Sequence, residues 1–342
     1  MSRFNSLIAN LNLLKYRFKT NFSLDFGSGQ TRIIVEGKLV WDQPTVLAWH
    51  SRLQAVVSIG DQAAALREKT PAHIKLIYPV QKGVIAELDY AAYYLKAVLD
   101  QLREQKKIHP WITAYCKVSL PSNASPLEKD QLRQVLDQVG LKTKKVMSST
   151  EAIVSLTPFN KITQSHGVID FGAQTVDMGI FIGSQLFRAV TLNNISGNSF
   201  TQAVIDQVSV EYKLQIGWRI AEQIKHQLLA GKLTLSSKSS PVMTVRGKDT
   251  QTQLVKVVRV TAASFQTKFY DLAETLLSEL KEIINELPPE VVTQLQEQGF
   301  YLTGGCSQLL DWQIMIKESW QMPVIISSTP QLDVVKGLAH GR

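Results

Sequence analysis

The chain predicts an α/β fold built by duplication, and three observations carry that prediction. First, Leu24-Asp25-Phe26-Gly27-Ser28-Gly29-Gln30-Thr31 and Ile169-Asp170-Phe171-Gly172-Ala173-Gln174-Thr175-Val176-Asp177 each set Asp-Phe-Gly after a hydrophobic run and before a polar turn. Second, β-like runs and helical stripes alternate after both stretches. Third, 342 residues are long for one domain and comfortable for two, and 44% hydrophobic content suffices for a proper core.

The first 21 residues stand apart. Phe4, Leu7, Ile8, Leu11, Leu14 and Phe18 recur at three- and four-residue steps and share one helical face. The only charges there are Arg3, Lys15, Arg17 and Lys19. An apolar stripe with cationic flanks describes a helix lying in a bilayer interface, with a helix packed on the protein's own core as the alternative.

From Phe22 the pattern is β. Ser23–Phe26 and Thr31–Val35 flank the first turn, and Leu39–Val40 and Val46–Trp49 are expected to continue the sheet. Ala63–Arg67 reads as a short helix and Tyr90–Arg103 as a longer one. Lys117–Leu120 is a strand, Pro126–Val139 a helix stopped by Gly140, Lys145–Met147 a strand, and Ser149–Leu156 a helix. The second half repeats the order from His166, with strands at Met178–Ile182 and Leu186–Thr191 and helices at Phe200–Tyr212 and Arg219–Leu229. Lys232–Val258 is polar and β-rich. Phe265–Leu287 is a long helix whose apolar stripe belongs to the core. Phe300–Leu302, a helix and a last strand at Pro323–Ile326 close the chain.

Composition narrows the partners. Lys and Arg total 37 against 29 acids, a net charge of +8. That balance suits an anionic membrane surface or nucleic acid, or belongs to a protein that is merely basic. The N-terminal cations are interleaved with an apolar stripe, which DNA does not require, so no direct nucleic-acid contact is expected. Cys116 and Cys306 show no metal-ligand spacing, which fits a reducing cytoplasm. No apolar run approaches the roughly 20 residues of a membrane span.

The two turns carry the chemistry. A phosphate needs backbone N–H donors in tight turns of small residues, which Gly27, Ser28 and Gly29 supply. Asp25 and Asp170 end opposing strands, and paired carboxylates beside a polyphosphate hold Mg²⁺, mostly through water. Glu151, opening a helix, either orients an attacking water or offsets the helix dipole. Gly304, Gly305 and Cys306 follow a strand, where bare backbone can approach a flat base or a phosphate. Glu222 and Lys225, spaced i, i+3, either clasp ribose hydroxyls or pair with each other.

At these residues the chain resembles the MreB family of bacterial actins. The likeness runs from about Phe22 to the C-terminus. It takes in Asp25–Thr31, Gly60 through Pro71, Tyr78–Glu87, Asp170–Asp177, Ile195–Phe200, Ile220–His226, Leu287–Glu290 and Leu302–Gly305.

The resemblance implies an actin-like fold: two RNase H-like domains, each with an outer subdomain (IA, IB, IIA, IIB), around an ATP–Mg²⁺ cleft. Domain I would cover 22–158, with IB inserted at about 48–74, completed by 323–342; domain II would cover 159–322, with IIB at about 200–260. It also implies a membrane-associated filament of identical copies on the inner face of the cell membrane. That filament would organise cell shape and wall synthesis with membrane-embedded partners, and ATP hydrolysis would control its turnover. Glu151 and Thr175 would position the hydrolytic water. Gln30, Thr31, Gly172 and Gly197 would join the nucleotide contacts. Trp111, on the loop Ile108–Ile112, would join the N-terminal stripe at the membrane.

Several positions depart from the family. Ala173 and Gln174 replace glycines of the second loop, where a turn expecting positive φ would carry a strain of ~1 kcal/mol or more and the side chains would crowd the γ-phosphate. Asn198 replaces an acid, and Ala152 a proline. Arg32 is unusual in the family and could reach the phosphates in place of the lost donors. These departures make a filament scaffold that binds ATP without hydrolysing it the main alternative. A sugar or acetate kinase is a further class, but no acceptor-facing acid or large insertion marks one.

Overall fold

The computed structural model describes residues 19–108, 113–159, 163–229 and 241–341. The proposed membrane residues Phe4, Leu7, Ile8, Leu11, Leu14, Phe18 and Trp111 lie outside them. Two compact units emerge, Met1–Ala152 with Val334–Arg342, and Ile153–Asp333.

In the first unit the chain runs β1 (Lys19–Phe26), β2 (Gln30–Val35), β3 (Lys38–Pro44), β4 (Leu47–His50), β5 (Ala55–Ile59), α1 (Gly60–Ala64), β6 (Ile74–Ile77), β7 (Val80–Gln81) and β8 (Val84–Ile85). It continues as α2 (Leu88–Glu104), β9 (Thr113–Leu120), α3 (Pro126–Gln138), β10 (Leu141–Ser148) and α4 (Ser149–Val154). Among the described residues the main sheet has the order β10-β9-β1-β2-β3. The β1–β2 and β2–β3 pairs are antiparallel, whereas β9 runs parallel to both β1 and β10. Leu95, Val98, Leu99 and Leu102 of α2 are buried at helical spacing, in one core with Phe22, Leu24, Ile33, Cys116 and Val118. Helix α3 starts with a capping box between Ser125 and Glu128 and a proline at its first turn, and Gly140 follows its end at φ +82°.

The N-terminal segment is shorter than expected, because Lys19–Asn21 already pair as strand with Thr113–Tyr115. Val46–Trp49 do not continue the main sheet. Pro44 ends β3, and the Val46 N–H turns back to its carbonyl at 3.0 Å. The chain then builds a separate three-stranded sheet, β5-β4-β6.

The second unit repeats the plan. It runs β11 (Ser165–Phe171), β12 (Val176–Ile182), β13 (Gln185–Leu192), α5 (Gly197–Tyr212), β14 (Leu214–Gln215), α6 (Trp218–Gln223), β15 (Val242–Asp249) and β16 (Val255–Thr261). Then follow α7 (Ala263–Asn285), α8 (Pro289–Gln298), β17 (Phe300–Thr303), α9 (Trp312–Trp320), β18 (Val324–Ile326) and α10 (Asp333–His340), the last of which passes into the first unit. The sheet order β13-β12-β11-β17-β18 mirrors the first unit strand for strand: an antiparallel hairpin and its extension, then two parallel strands. Phe265, Phe269, Ala273, Leu276 and Leu280 of α7 are buried in the second core, as the helical spacing predicts.

Three elements differ from expectation. Arg219–Leu229 is not one regular helix, because α6 passes into a π-helical turn at Ile224–Leu229. A helix, α10, follows the last strand. The chain returns to the first unit at Val334, not at residue 323, because β18 pairs in parallel with β17 and so extends the second unit's sheet. Among the described residues no helix is long and apolar enough to cross a membrane.

Candidate functional site

Each unit carries one loop between the first two strands of its main sheet, and the two loops close alike. The Gly27 N–H donates to the Gln30 carbonyl at 3.1 Å, and the Gly172 N–H to the Thr175 carbonyl at 2.9 Å. A Cβ on Gly27 would meet the Gln30 oxygen at 2.9 Å, and one on Gly172 the Thr175 oxygen at 2.8 Å. Close approach, not backbone handedness, demands these two glycines. The strand registers match as well: Asp25 faces Arg32, and Asp170 faces Asp177.

Neither Ala173 nor Gln174 has positive φ. The expected strain in the second loop is therefore absent. The turn is closed by Gly172 and leaves its next two residues in ordinary conformations, as it does Ser28 and Gly29 in the first loop.

In the first unit, Asp25, Arg32 and Asp42 are direct cross-strand neighbours. The Arg32 guanidinium lies 3.7 Å from Asp25 and 3.0 Å from Asp42. Burial pushes the Asp25 carboxyl above its ordinary range, against the charge of Arg32 and the Ser119 hydroxyl, which donates to it at 3.4 Å. The Ser28 hydroxyl accepts the Gly83 N–H at 2.7 Å, and the Gly29 carbonyl accepts the Thr45 N–H at 3.1 Å. Thr31 faces inward: it is fully buried, with its hydroxyl 2.8 Å from that of Thr45. The Gln30 side-chain oxygen is buried without a hydrogen-bond partner among the described residues.

Glu151 sits in a reciprocal cap. Its carboxylate accepts the Ser148 N–H at 2.8 Å, and its own N–H donates to the Ser148 hydroxyl at 3.1 Å. The carboxylate thus lies at the helix N-terminus, where it also offsets the helix dipole.

In the second unit, the Gly197 and Asn198 N–H groups at the start of α5 donate to the Gly172 and Ala173 carbonyls at 3.0 and 2.8 Å. Glu222 and Lys225 do pair with each other. The Lys225 ammonium, nearly inaccessible, donates to the Gly197 carbonyl at 3.2 Å, the Thr201 hydroxyl at 2.7 Å and Glu222 Oε1 at 2.8 Å. Burial alone would raise the Glu222 carboxyl; the hydrogen bond with His226 and the charge of Lys225 outweigh it and hold the group at about 2. Thr201 and His226, the latter 3.0 Å from Glu222 Oε2, complete this cluster. Both were missed as site candidates. His226 was legible from its i+4 spacing to Glu222 on the expected helix Arg219–Leu229, whereas Thr201, 21 residues from Glu222 in the chain, carried no local signal.

Gly304, at φ +84°, is reserved for the protein's own strand: a Cβ there would meet the Phe171 carbonyl at 2.4 Å and Asp170 Oδ1 at 2.5 Å. Gly305 faces open space instead. Cys306 is buried, which pushes its thiol up to about 11, and its carbonyl accepts the Trp312 indole N–H at 2.9 Å.

Asp25, Gly27, Ser28, Gly29, Gln30 and Arg32 thus share one loop region of the first unit. Asp170, Gly172, Ala173, Gln174, Thr175, Gly197, Asn198 and Gly304 gather around the second loop. Among the described residues no group of three or more His, Cys, Asp or Glu side chains is arranged to hold a metal ion.

Comparison with known proteins agrees with this duplicated plan. The chain is 25% identical over 324 residues to the cell shape-determining protein Mbl of Bacillus cereus, covering 94% of this chain and 95% of that protein. It is 24% identical over 334 residues to the cell shape-determining protein MreB of Escherichia coli, covering 95% and 94%. A crystal structure of MreB5 of Spiroplasma citri bound to AMPPNP superposes with a TM-score of 0.85 at 22% identity, over 94% of this chain and 95% of that one. A MamK double helical filament gives a TM-score of 0.75 at 19% identity, over 94% and 97%. These structures establish the actin-like α/β fold. The MreB/Mbl protein family model matches residues 19–341, and the chain therefore belongs to that family.

Proposed function

We propose that this protein binds ATP or ADP and assembles with copies of itself into a filament that organises cell shape, held peripherally at the cytoplasmic membrane face. The observation that carries the nucleotide reading is the matched closure of the two loops, Gly27 to Gln30 and Gly172 to Thr175, each beside an aspartate at the same register position. Two tight backbone turns with one acid each are what a polyphosphate and its counter-ion require. A Spiroplasma citri MreB5 bound to AMPPNP, the same protein bound to ADP and a MamK filament lend support by likeness.

Mg²⁺ fits the donors present. Asp25 and Asp170 are each hard oxygen ligands, and an ion that either of them held would keep most of its water. The Gln30 side-chain oxygen, without a hydrogen-bond partner among the described residues, suits a donor such as metal-bound water. When bound, the ion would neutralise the developing charge of the terminal phosphate. Arg32, between Asp25 and Asp42, supplies the first loop's own cation. Membrane attachment would rest on the N-terminal stripe and Trp111.

A second reading, a scaffold that binds ATP without turning it over, is favoured by Glu151, whose carboxylate already caps its own helix at Ser148. Calorimetry with ATP and ADP, with and without Mg²⁺, tests binding; no heat with either nucleotide would overturn the proposal. Sedimentation with ATP–Mg²⁺ and anionic liposomes tests assembly and attachment. Phosphate release by wild type and Glu151→Ala separates the two readings: equal release would favour the scaffold.

A further inference from the structure

We infer that the free edge of β16 is a docking site for an extended, acidic segment of another protein, which joins the second unit's small sheet as an added strand. The inference does not depend on nucleotide binding.

A strand at the edge of a sheet leaves alternate N–H and C=O groups unpaired, and proteins blunt such edges with bulges, short strands or proline. This chain does so at its other edges. Among the described residues the edge strands longer than four residues are β3, β5, β10, β13 and β16. The first four each carry a register shift in the pairing with their neighbour. The remaining edge strands have four residues or fewer. In contrast, β16 pairs with β15 without a shift over all seven of its residues and contains no proline. It is the one long, regular edge left open among the described residues.

The exposed face of this hairpin fixes what fits beside it. Val255 and Val257 alternate along β16 and are 64% and 58% exposed, whereas Val258 and Val260 on the other face pack on the second core. Arg259 continues the exposed row, and exposed Arg246 and Lys248 of β15 stand across from Val257 and Val255. None of these three cations has an ion pair among the described residues. The hairpin's single acid, Asp249, is already engaged by Lys256 at 2.9 Å and by the Gln251 and Thr252 N–H groups.

A strand laid antiparallel along β16 would set its side chains about 5 Å from Val255, Val257 and Arg259. Apolar residues at two alternate positions and an acid at the third complete that row. Charge selects against a second copy, because edge-to-edge pairing would double the cations and bring no acid. Backbone chemistry selects against a lipid surface, because hydrocarbon cannot satisfy the open N–H and C=O groups.

The test uses the full, nucleotide-free chain and the end-blocked synthetic peptide Glu-Thr-Val-Thr-Val-Thr-Glu, with Lys-Thr-Val-Thr-Val-Thr-Lys as the charge-reversed control. The acidic peptide is expected to slow amide exchange at alternate residues of β16 and to leave Val168 and Ile180 of the large sheet unchanged. Its affinity, read by fluorescence anisotropy, is expected to exceed that of the control by about tenfold or more and to fall with added salt. Arg259→Glu, at an exposed position, is expected to reverse that preference. Equal affinity for the two peptides, or no slowing in β16 at millimolar acidic peptide, would overturn the inference. So would slowing that appears without peptide and grows with protein concentration, since a second copy would then cover the edge. Slowing by phosphatidylglycerol vesicles but not by peptide would assign the edge to a membrane and overturn it likewise.

Discussion

Gly172 donates its N–H to the carbonyl of Thr175 at 2.9 Å, closing the second loop without a left-handed residue at Ala173 or Gln174. The first loop is closed in the same way by Gly27 and Gln30. The relationship explains how the loop accommodates the side chains of Ala173 and Gln174.

The expected behaviour of Ala173→Gly and Gln174→Gly follows. With no positive φ to relieve, glycine adds only freedom to the unfolded chain, so each change should destabilise by roughly 0.4–1 kcal/mol. Gly172→Ala should cost more, about 1–3 kcal/mol, because its Cβ would lie 2.8 Å from the Thr175 carbonyl. Urea midpoints measure all three; a stabilised Ala173→Gly would show that the loop is strained after all.

Gly304→Ala should be worse tolerated than Gly305→Ala. The first adds a Cβ 2.5 Å from Asp170 Oδ1 at a left-handed position, and the second adds one in open space. A loss of about 2 kcal/mol or more for Gly304→Ala, against less than about 1 for Gly305→Ala, is the expected split in thermal unfolding.

Ser148→Ala and Glu151→Ala each remove one half of the same helix cap, and each should cost about 1 kcal/mol. If Glu151 also orients water, only its variant should lose phosphate release. Equal release from both variants would confine Glu151 to capping.

Asp25 and Glu222 should respond to pH in opposite senses. Burial raises the Asp25 carboxyl, so the folded state prefers its neutral form. The stability this contributes is present below the ordinary value of 3.8 and is lost as pH rises through the folded value. Asp25→Asn should therefore raise the melting temperature of the free protein near neutrality while weakening nucleotide binding with Mg²⁺. Glu222, held at about 2 against an ordinary 4.5, contributes stability above 4.5 that is lost as pH falls toward 2. Glu222→Gln should flatten the loss of stability below pH 4.5, and an unchanged acid limb would refute the ion cluster.

The amino-acid order alone determined the duplication, since the spacing of Asp25-Phe26-Gly27 and Asp170-Phe171-Gly172 became two sheets of identical strand order. It also determined most elements, because binary pattern and local stops such as Gly140 act over a few residues. Tertiary structure decided what those local rules cannot reach. Pro44 and the Val46 turn sent Val46–Trp49 into another sheet, and pairing with β17 placed β18 in the second unit. Burial turned Thr31 inward to Thr45 and gave Lys225 three acceptors, two of which lie more than twenty residues away in the chain. A side chain's partners depend on which strands and helices meet over long separations, and only folding brings those distant residues together.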